Sequence, residues 1–245
     1  MGRRCPPGTL VVLDRREAIA LLGLAGSAVL FGCGGPVEGP ACTLAPALTA
    51  GPYWQDDRLQ RSDLRWDTHH LAVPNPRPGV PLQLSIRLVA SSDESCYAVH
   101  GAQVDLWHGD ALGAYSDVAE DGTAGQNFLR GYQLTDFTGF ASFTTIYPGW
   151  YPGRAVHIHA KVRLFDPYGD PTTEMSTQLF FDDAVTDAVH SVEPYRERGQ
   201  RDTRNVADTI YGGHRELLLS LQGSPTAGYQ GFIDLAIQVG QVHHG

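Results

Sequence analysis

Apolar and polar residues alternate with a period of two in several short runs of this chain. The run LQLSIRL, residues 82–88, is the clearest. Leu82, Leu84, Ile86 and Leu88 share one face, and Gln83, Ser85 and Arg87 share the other, as on a half-buried strand. Residues 102–107, 140–146, 156–162 and 232–239 repeat the pattern, and residues 178–181 form a short apolar strand. Between Asp182 and Gly213 the period is lost. Charges and turn residues dominate there, with room for one short helix. Short strands punctuated by Gly and Pro predict a mainly β fold: an antiparallel β-sandwich core with loops and short helices, not an alternating βαβ arrangement. No repeat or linker interrupts residues 42–245, which read as one domain.

The first 41 residues break this pattern. Residues 18–31, AIALLGLAGSAVLF, are uncharged, too short for a comfortable membrane span and suited to the h-region of a signal peptide. Arg15 and Arg16 precede the run, as in a twin-arginine signal, and Gly32-Cys33 follows it, as at a lipoprotein cleavage site. The competing reading is a buried N-terminal helix. Export would place the protein in the periplasm, outside the cell, or at the envelope through a lipidated Cys33. Cys5 goes with the signal. Cys42 and Cys96 then remain in the exported part, either as a disulfide suited to an oxidising compartment or as two buried thiols. The formal net charge of -9 shows no basic patch for phosphate, which excludes nucleic acid as partner.

The candidate chemistry lies in YPGWYPGRAVHIHAKV, residues 147–162. On a strand His157 and His159 project from one face, with Ile158 turned the other way. Two imidazoles so placed are a pair of metal ligands in waiting, although His-x-His alone also occurs on solvated strands. The turns at Pro148-Gly149 and Pro152-Gly153 hold Tyr151 just before that strand. A tyrosinate is a hard anionic ligand suited to Fe(III). Two imidazoles and two phenolates would leave a trivalent ion with one positive charge, which calls for a second tyrosine.

Several segments together resemble the intradiol ring-cleavage dioxygenases. They are residues 101–116, GAQVDLWHGDALGAYS; residues 128–136, FLRGYQLTD; Gly139 and FTTI at 143–146; and PGWYPGRAVHIH at 148–159. The likeness begins at TAGPYW, residues 49–54, where the family usually has Glu at the position of Ala50, and runs through Gln178 and Tyr211. It is nearest to the exported, single-chain branch. The resemblance implies a non-haem Fe(III) centre held by Tyr115, Tyr151, His157 and His159, with Tyr115 and His157 equatorial and Tyr151 and His159 axial. It implies a catecholic substrate, O2 as co-substrate, and a muconic-type diacid as product. Tyr151 would leave the metal and take a catechol proton. The spacing from Tyr151 to His157 is shorter than in the cytoplasmic enzymes, and residues 166–171 look like an insertion. Both leave the identity of the catechol open.

Arg154 is then a candidate to stabilise charge developing on the ring; otherwise it clamps its loop through an ion pair with an Asp. Gln178 would hydrogen-bond the same intermediate or only pair with a strand edge. Tyr53 and Trp54 either wall the pocket or pack the N-terminal arm on the core. The pairs His69-His70 and His243-His244, and the charges at 182–183 and 196–204, read as solvated. His108 is given no role, and Arg130 and Asp136 are expected to tie a hairpin together. The rival functions are an exported catechol- or ferric-chelate-binding protein without turnover, and a structural β-sandwich with a vestigial site.

Overall fold

The two faces of each alternating run go to different places. The computed structural model describes residues 42–70, 76–91 and 95–239. The expected signal segment with Cys5 and Cys33, and His243-His244, lie outside the described residues. Nine strands form among the described residues: β1 Pro81–Ser91, β2 Cys96–Ala98, β3 Gln103–Trp107, β4 Arg130–Leu134, β5 Phe140–Ile146, β6 His157–Phe165, β7 Pro171–Phe180, β8 Ser220–Ser224 and β9 Gly228–Ile237. The helix α1 spans Asp183–His190, with the Asp182 carboxylate capping it by accepting from the Ala184 and Val185 amides.

The strands make two sheets. In the first, β1 pairs with β9 along one side and with β5 and then β2 along the other, while β8 continues beyond β9. The second is the antiparallel order β4-β3-β6-β7. The pairing of β1 with β9 is parallel within this otherwise antiparallel framework. Alternation sets which face is buried, not the direction of the neighbour, so this pair is not visible in the pattern. Leu82, Leu84, Ile86 and Leu88 of the first sheet and Val104, Leu106, Ile158, Ala160 and Val162 of the second join one hydrophobic core. Full burial of a Leu or Ile side chain contributes about 1.5–3 kcal/mol. The contribution is spread along the inner faces of both sheets.

Strand β7 begins seven residues before the apolar run that marks it in the sequence. Residues 171–177 are largely polar, yet they pair with β6 as far as Phe165. Residues 166–170, part of the stretch read as an insertion, make the hairpin turn, where the Asp166 carboxylate accepts the amides of Tyr168 and Asp170. The expected tie between Arg130 and Asp136 does not form. Arg130 opens β4, and Asp136 lies two residues beyond the strand's end. Asp136 instead closes the β4–β5 turn by accepting from Thr138 and Phe140.

An N-terminal arm covers the outer face of the second sheet. The Leu48 amide donates to Ser176 O at the free edge of β7 (2.8 Å). Trp54 packs over Trp107 of β3, with ring centroids 4.7 Å apart. Gln60 bridges to Tyr132 of β4. The arm thus crosses the sheet from one edge strand to the other. Cys42 and Cys96 form a disulfide, with 6.0 Å between Cα atoms, that ties the start of the arm to β2.

Candidate active site

Strand β6 is buried on both faces, which explains how a histidine pair comes to lie under protein. Ile158, Ala160 and Val162 point into the core, so His157, His159, Lys161 and Arg163 point outward beneath the arm. Strand register then sets the neighbours of His159. It lies opposite Trp107 on β3 and Gln178 on β7. The Trp107 ring stacks on the His159 ring at 4.9 Å and 5° from parallel. Gly51 of the arm sits against the edge of the same imidazole, and a Cβ there would come within 3.1 Å of Cε1.

Two loops bring the tyrosines to these histidines. The Tyr115 loop is folded around Asp110, whose carboxylate accepts the amides of Leu112 and Ala114. The Tyr151 loop packs directly on its backbone. The Gly149 amide donates to Asp110 O at 2.8 Å. A Cβ on Gly113 would stand 2.1 Å from Trp150 O, and one on Gly149 would stand 2.3 Å from Ala111 O. Gly113 also has φ +83°, which favours glycine. Two glycines therefore permit the close approach that brings both tyrosines to one place.

Tyr151 Oη lies 3.2 Å from His157 Nε2, which lies 3.1 Å from His159 Nε2. Tyr115 closes the group, its ring edge-on to Tyr151 at 5.6 Å and to His159 at 6.1 Å. The Tyr115 hydroxyl is buried and, among the described residues, makes no hydrogen bond of good geometry, its near polar neighbour being the Tyr151 hydroxyl. All four residues predicted as ligands are thus brought together. Among the described residues no cluster of three or more His, Cys, Asp or Glu could hold a metal. The convergent set consists of two imidazoles and two phenols.

The electrostatics fit a cation at this point. Burial brings the His157 pKa down to about 3, with Arg154 adding to the effect, and holds His159 well below its usual value. Both imidazoles are therefore neutral, as metal ligation requires. His157 Nδ1 faces the Ala155 carbonyl at 2.7 Å. A carbonyl only accepts, so the ring proton sits on Nδ1 and the Nε2 lone pair is free. Burial raises the Tyr115 pKa well above its ordinary value, and the Tyr151 pKa as well. A positive charge among the four polar atoms reverses that cost and satisfies the buried Tyr115 hydroxyl. The donor set fits Fe(III), the hard trivalent ion expected from the sequence.

Arg154 makes the ion pair that the bland alternative anticipates, and more. Its Nε lies 2.9 Å from Asp208 Oδ2, while Nη2 donates to Gln178 Oε1 at 2.6 Å. Gln178 Nε2 donates in turn to Thr49 O of the arm at 2.9 Å. Both ends of the Gln178 amide are thus engaged, so it links Arg154 to the arm and does not cap a strand edge. Tyr53 stacks on Tyr115 with centroids 4.4 Å apart, and the Trp54 ring also receives Lys161 at 4.6 Å. The arm aromatics pack on the sheet and on a candidate ligand at once.

Three participants are not picked out in the sequence. Buried Arg130 donates to Ser116 Oγ (2.6 Å), Ser116 O (2.7 Å) and Tyr53 O (2.5 Å), pinning the Tyr115 loop to the arm. A lone arginine after the apolar pair Phe128-Leu129 is the signal that could have marked it. His108 is buried and bonded to Thr145 Oγ1 at 2.7 Å. Asp208 has no local signal; it lies 54 residues from Arg154 in the chain. His69 and His70 are exposed, as expected. The 196–204 charges are not all solvated, because the Arg201 side chain is buried between Asp183 and Asp187 at 3.0 Å from each.

A family model for dioxygenases matches residues 49–195. Among solved structures, an intradiol ring-cleavage dioxygenase from Tetranychus urticae shares 27% identity over 80% of this chain and 95% of its own, with a TM-score of 0.69. The dioxygenase domain of a dioxygenase carbohydrate-binding protein fusion from Streptomyces sp. SirexAA-E shares 28% identity over 80% of this chain and 99% of its own, with a TM-score of 0.55. A 3-chlorocatechol 1,2-dioxygenase from Rhodococcus opacus, at 19% identity over 80% and 72%, shares the fold with a TM-score of 0.56. No curated protein matches the chain. With more than half its length matched, the chain belongs to the dioxygenase family that contains the intradiol ring-cleaving enzymes.

Proposed function

We propose that this protein is an exported, non-haem Fe(III)-dependent intradiol dioxygenase. It cleaves a catechol-type ring between its two hydroxylated carbons and incorporates both atoms of O2 to give a muconic-type diacid. The observation that carries the reading is the convergence of Tyr115, Tyr151, His157 and His159 beside Arg154, in a chain of this family.

Tyr115, Tyr151, His157 and His159 would hold the iron, which when bound would draw electron density from a chelated catecholate and open its ring carbons to O2. Tyr151 is the less buried tyrosine and already shares a hydrogen bond with His157. Burial raises its pKa, so as a phenolate Oη is suited to take one substrate proton. Arg154 presents its guanidinium at the edge of the site, suited to stabilising negative charge that builds on the ring during cleavage. Trp107 fixes the plane of the His159 imidazole by stacking. The arm, held by Gln178 and Arg130, keeps bulk water off the histidines. The Cys42–Cys96 disulfide supports action outside the cytoplasm, where such bonds persist.

Iron-loaded protein is offered a panel of catechols in an oxygen electrode, and products are weighed by mass spectrometry. The reading expects O2 uptake and a product heavier than its catechol by both oxygen atoms. Catechol binding with no O2 consumed across the panel would establish the binding-protein alternative instead.

A further inference from the structure

Arg154 is held by a carboxylate that lies beyond the matched family segment. Asp208 follows a short 3-10 turn, Asn205–Ala207, and its side chain is 1% exposed. Both of its oxygens are fully used. Oδ1 accepts the amides of Ile210 (2.8 Å) and Tyr211 (3.1 Å). Oδ2 accepts the Ala155 amide at 2.7 Å and Arg154 Nε at 2.9 Å. Three backbone donors thus fix the carboxylate before it meets the guanidinium. Asp208 and Gln178 engage Nε and Nη2 on one edge of the Arg154 guanidinium, and Tyr151 is within hydrogen-bonding range of the same group.

We propose that Asp208 is a positioning residue for ring cleavage, holding Arg154 so that its remaining guanidinium donors face the reacting ring. This rests on the dioxygenase reading above. Arg154 rises from a turn next to Gly153, where a long side chain has many rotamers. A guanidinium stabilises developing charge only if it is already aimed there, and a misplacement of about 1 Å costs on the order of 100-fold in rate. The local Asp202 does not supply this anchor. It accepts the Gly153 amide at 3.2 Å and has no bond to Arg154 among the described residues.

Asp208 also braces Ala155, whose carbonyl orients His157, so a test must separate aiming from bracing. The variants are Asp208→Asn, Arg154→Ala and the two combined, each loaded with iron and assayed for O2 uptake with catechol itself. Aiming predicts that Asp208→Asn lowers kcat roughly 10- to 100-fold with little change in KM. It also predicts unchanged iron content and visible absorption, and a double variant no slower than Arg154→Ala alone. A second readout needs no turnover and no metal. The Arg154 Nε–H resonance of the iron-free protein should be protected from exchange in the wild type and lose that protection in Asp208→Asn. Losses that multiply in the double variant, loss of iron with the single one, or an unchanged kcat would overturn the proposal. If the wild type consumes no O2 with any catechol of the panel, the dioxygenase reading fails, and catechol affinity replaces kcat in the same cycle. Equal weakening in all three variants then upholds the aiming role, and multiplying losses or an unaltered Nε–H resonance reject it.

Discussion

Nε2 of His157 and Nε2 of His159 face each other across 3.1 Å on neighbouring same-face positions of β6. His157 carries its proton on the far nitrogen, held to Ala155 O, so its near nitrogen offers a lone pair. Tyr151 Oη points at the same atom, and the buried Tyr115 hydroxyl makes no hydrogen bond of good geometry among the described residues. A cation would satisfy these atoms together.

Protein purified from iron-sufficient cells should therefore carry a visible tyrosinate-to-Fe(III) charge-transfer band. Tyr115→Phe should lose much of that band and bind iron at least about tenfold more weakly. Absorption spectra and metal analysis of the two proteins check this. Colourless wild-type protein containing stoichiometric zinc would refute the iron assignment.

The approach of the two tyrosine loops depends on Gly113. A methyl group there meets Trp150 O at 2.1 Å, with φ in a region alanine disfavours. Gly113→Ala should destabilise the fold by roughly 2–5 kcal/mol through strain and overpacking. Any folded fraction should show weakened iron binding, because Tyr115 follows two residues later. Gly122→Ala is the control, since it has a similar φ (+70°) but open space around its Cβ. Equal melting temperatures for the two variants would remove the argument from close approach.

The Cys42–Cys96 bond closes a sequence separation of 54 residues and anchors the arm that crosses the site. Loop-closure entropy puts its contribution at about 2–4 kcal/mol. Urea unfolding with and without a thiol reductant should show that loss. Two free thiols in periplasmic or membrane-extracted protein would contradict the bond.

What the sequence reveals follows from the range of each interaction. The strand β6 and its histidine pair are legible because the period of two acts between adjacent residues. Tyr115 becomes legible only through resemblance, since nothing local marks it as a ligand. Asp208 and Arg130 are hidden because their partners are brought near by tertiary folding, and a solvated charge reads the same as a buried one in sequence. Strand β7 is under-read for a related reason: residues 171–177 owe their extended form to pairing with β6, not to an apolar pattern.

Acid sensitivity is the remaining consequence, and His108 gives its sign. The ring is buried, bonded to Gly109 O at 2.8 Å and to Thr145 Oγ1, and burial lowers its pKa to about 4. In the unfolded chain it titrates near the ordinary value of about 6.5. Between these values the unfolded state binds the extra proton, so stability present above pH 6.5 is lost as the pH falls to about 4. The gap of about 2.5 pKa units corresponds to about 3 kcal/mol. His190, also lowered to about 4 by burial, acts in the same direction. Asp105 acts oppositely: burial raises its pKa to about 6, so its cost to the fold is relieved as the pH falls from 6 towards 4. Metal-free protein should therefore lose stability to urea between pH 6.5 and 4, and His108→Gln should flatten that loss by up to one proton's share. A profile for His108→Gln parallel to that of the wild type would show that His108 does not set the acid limit.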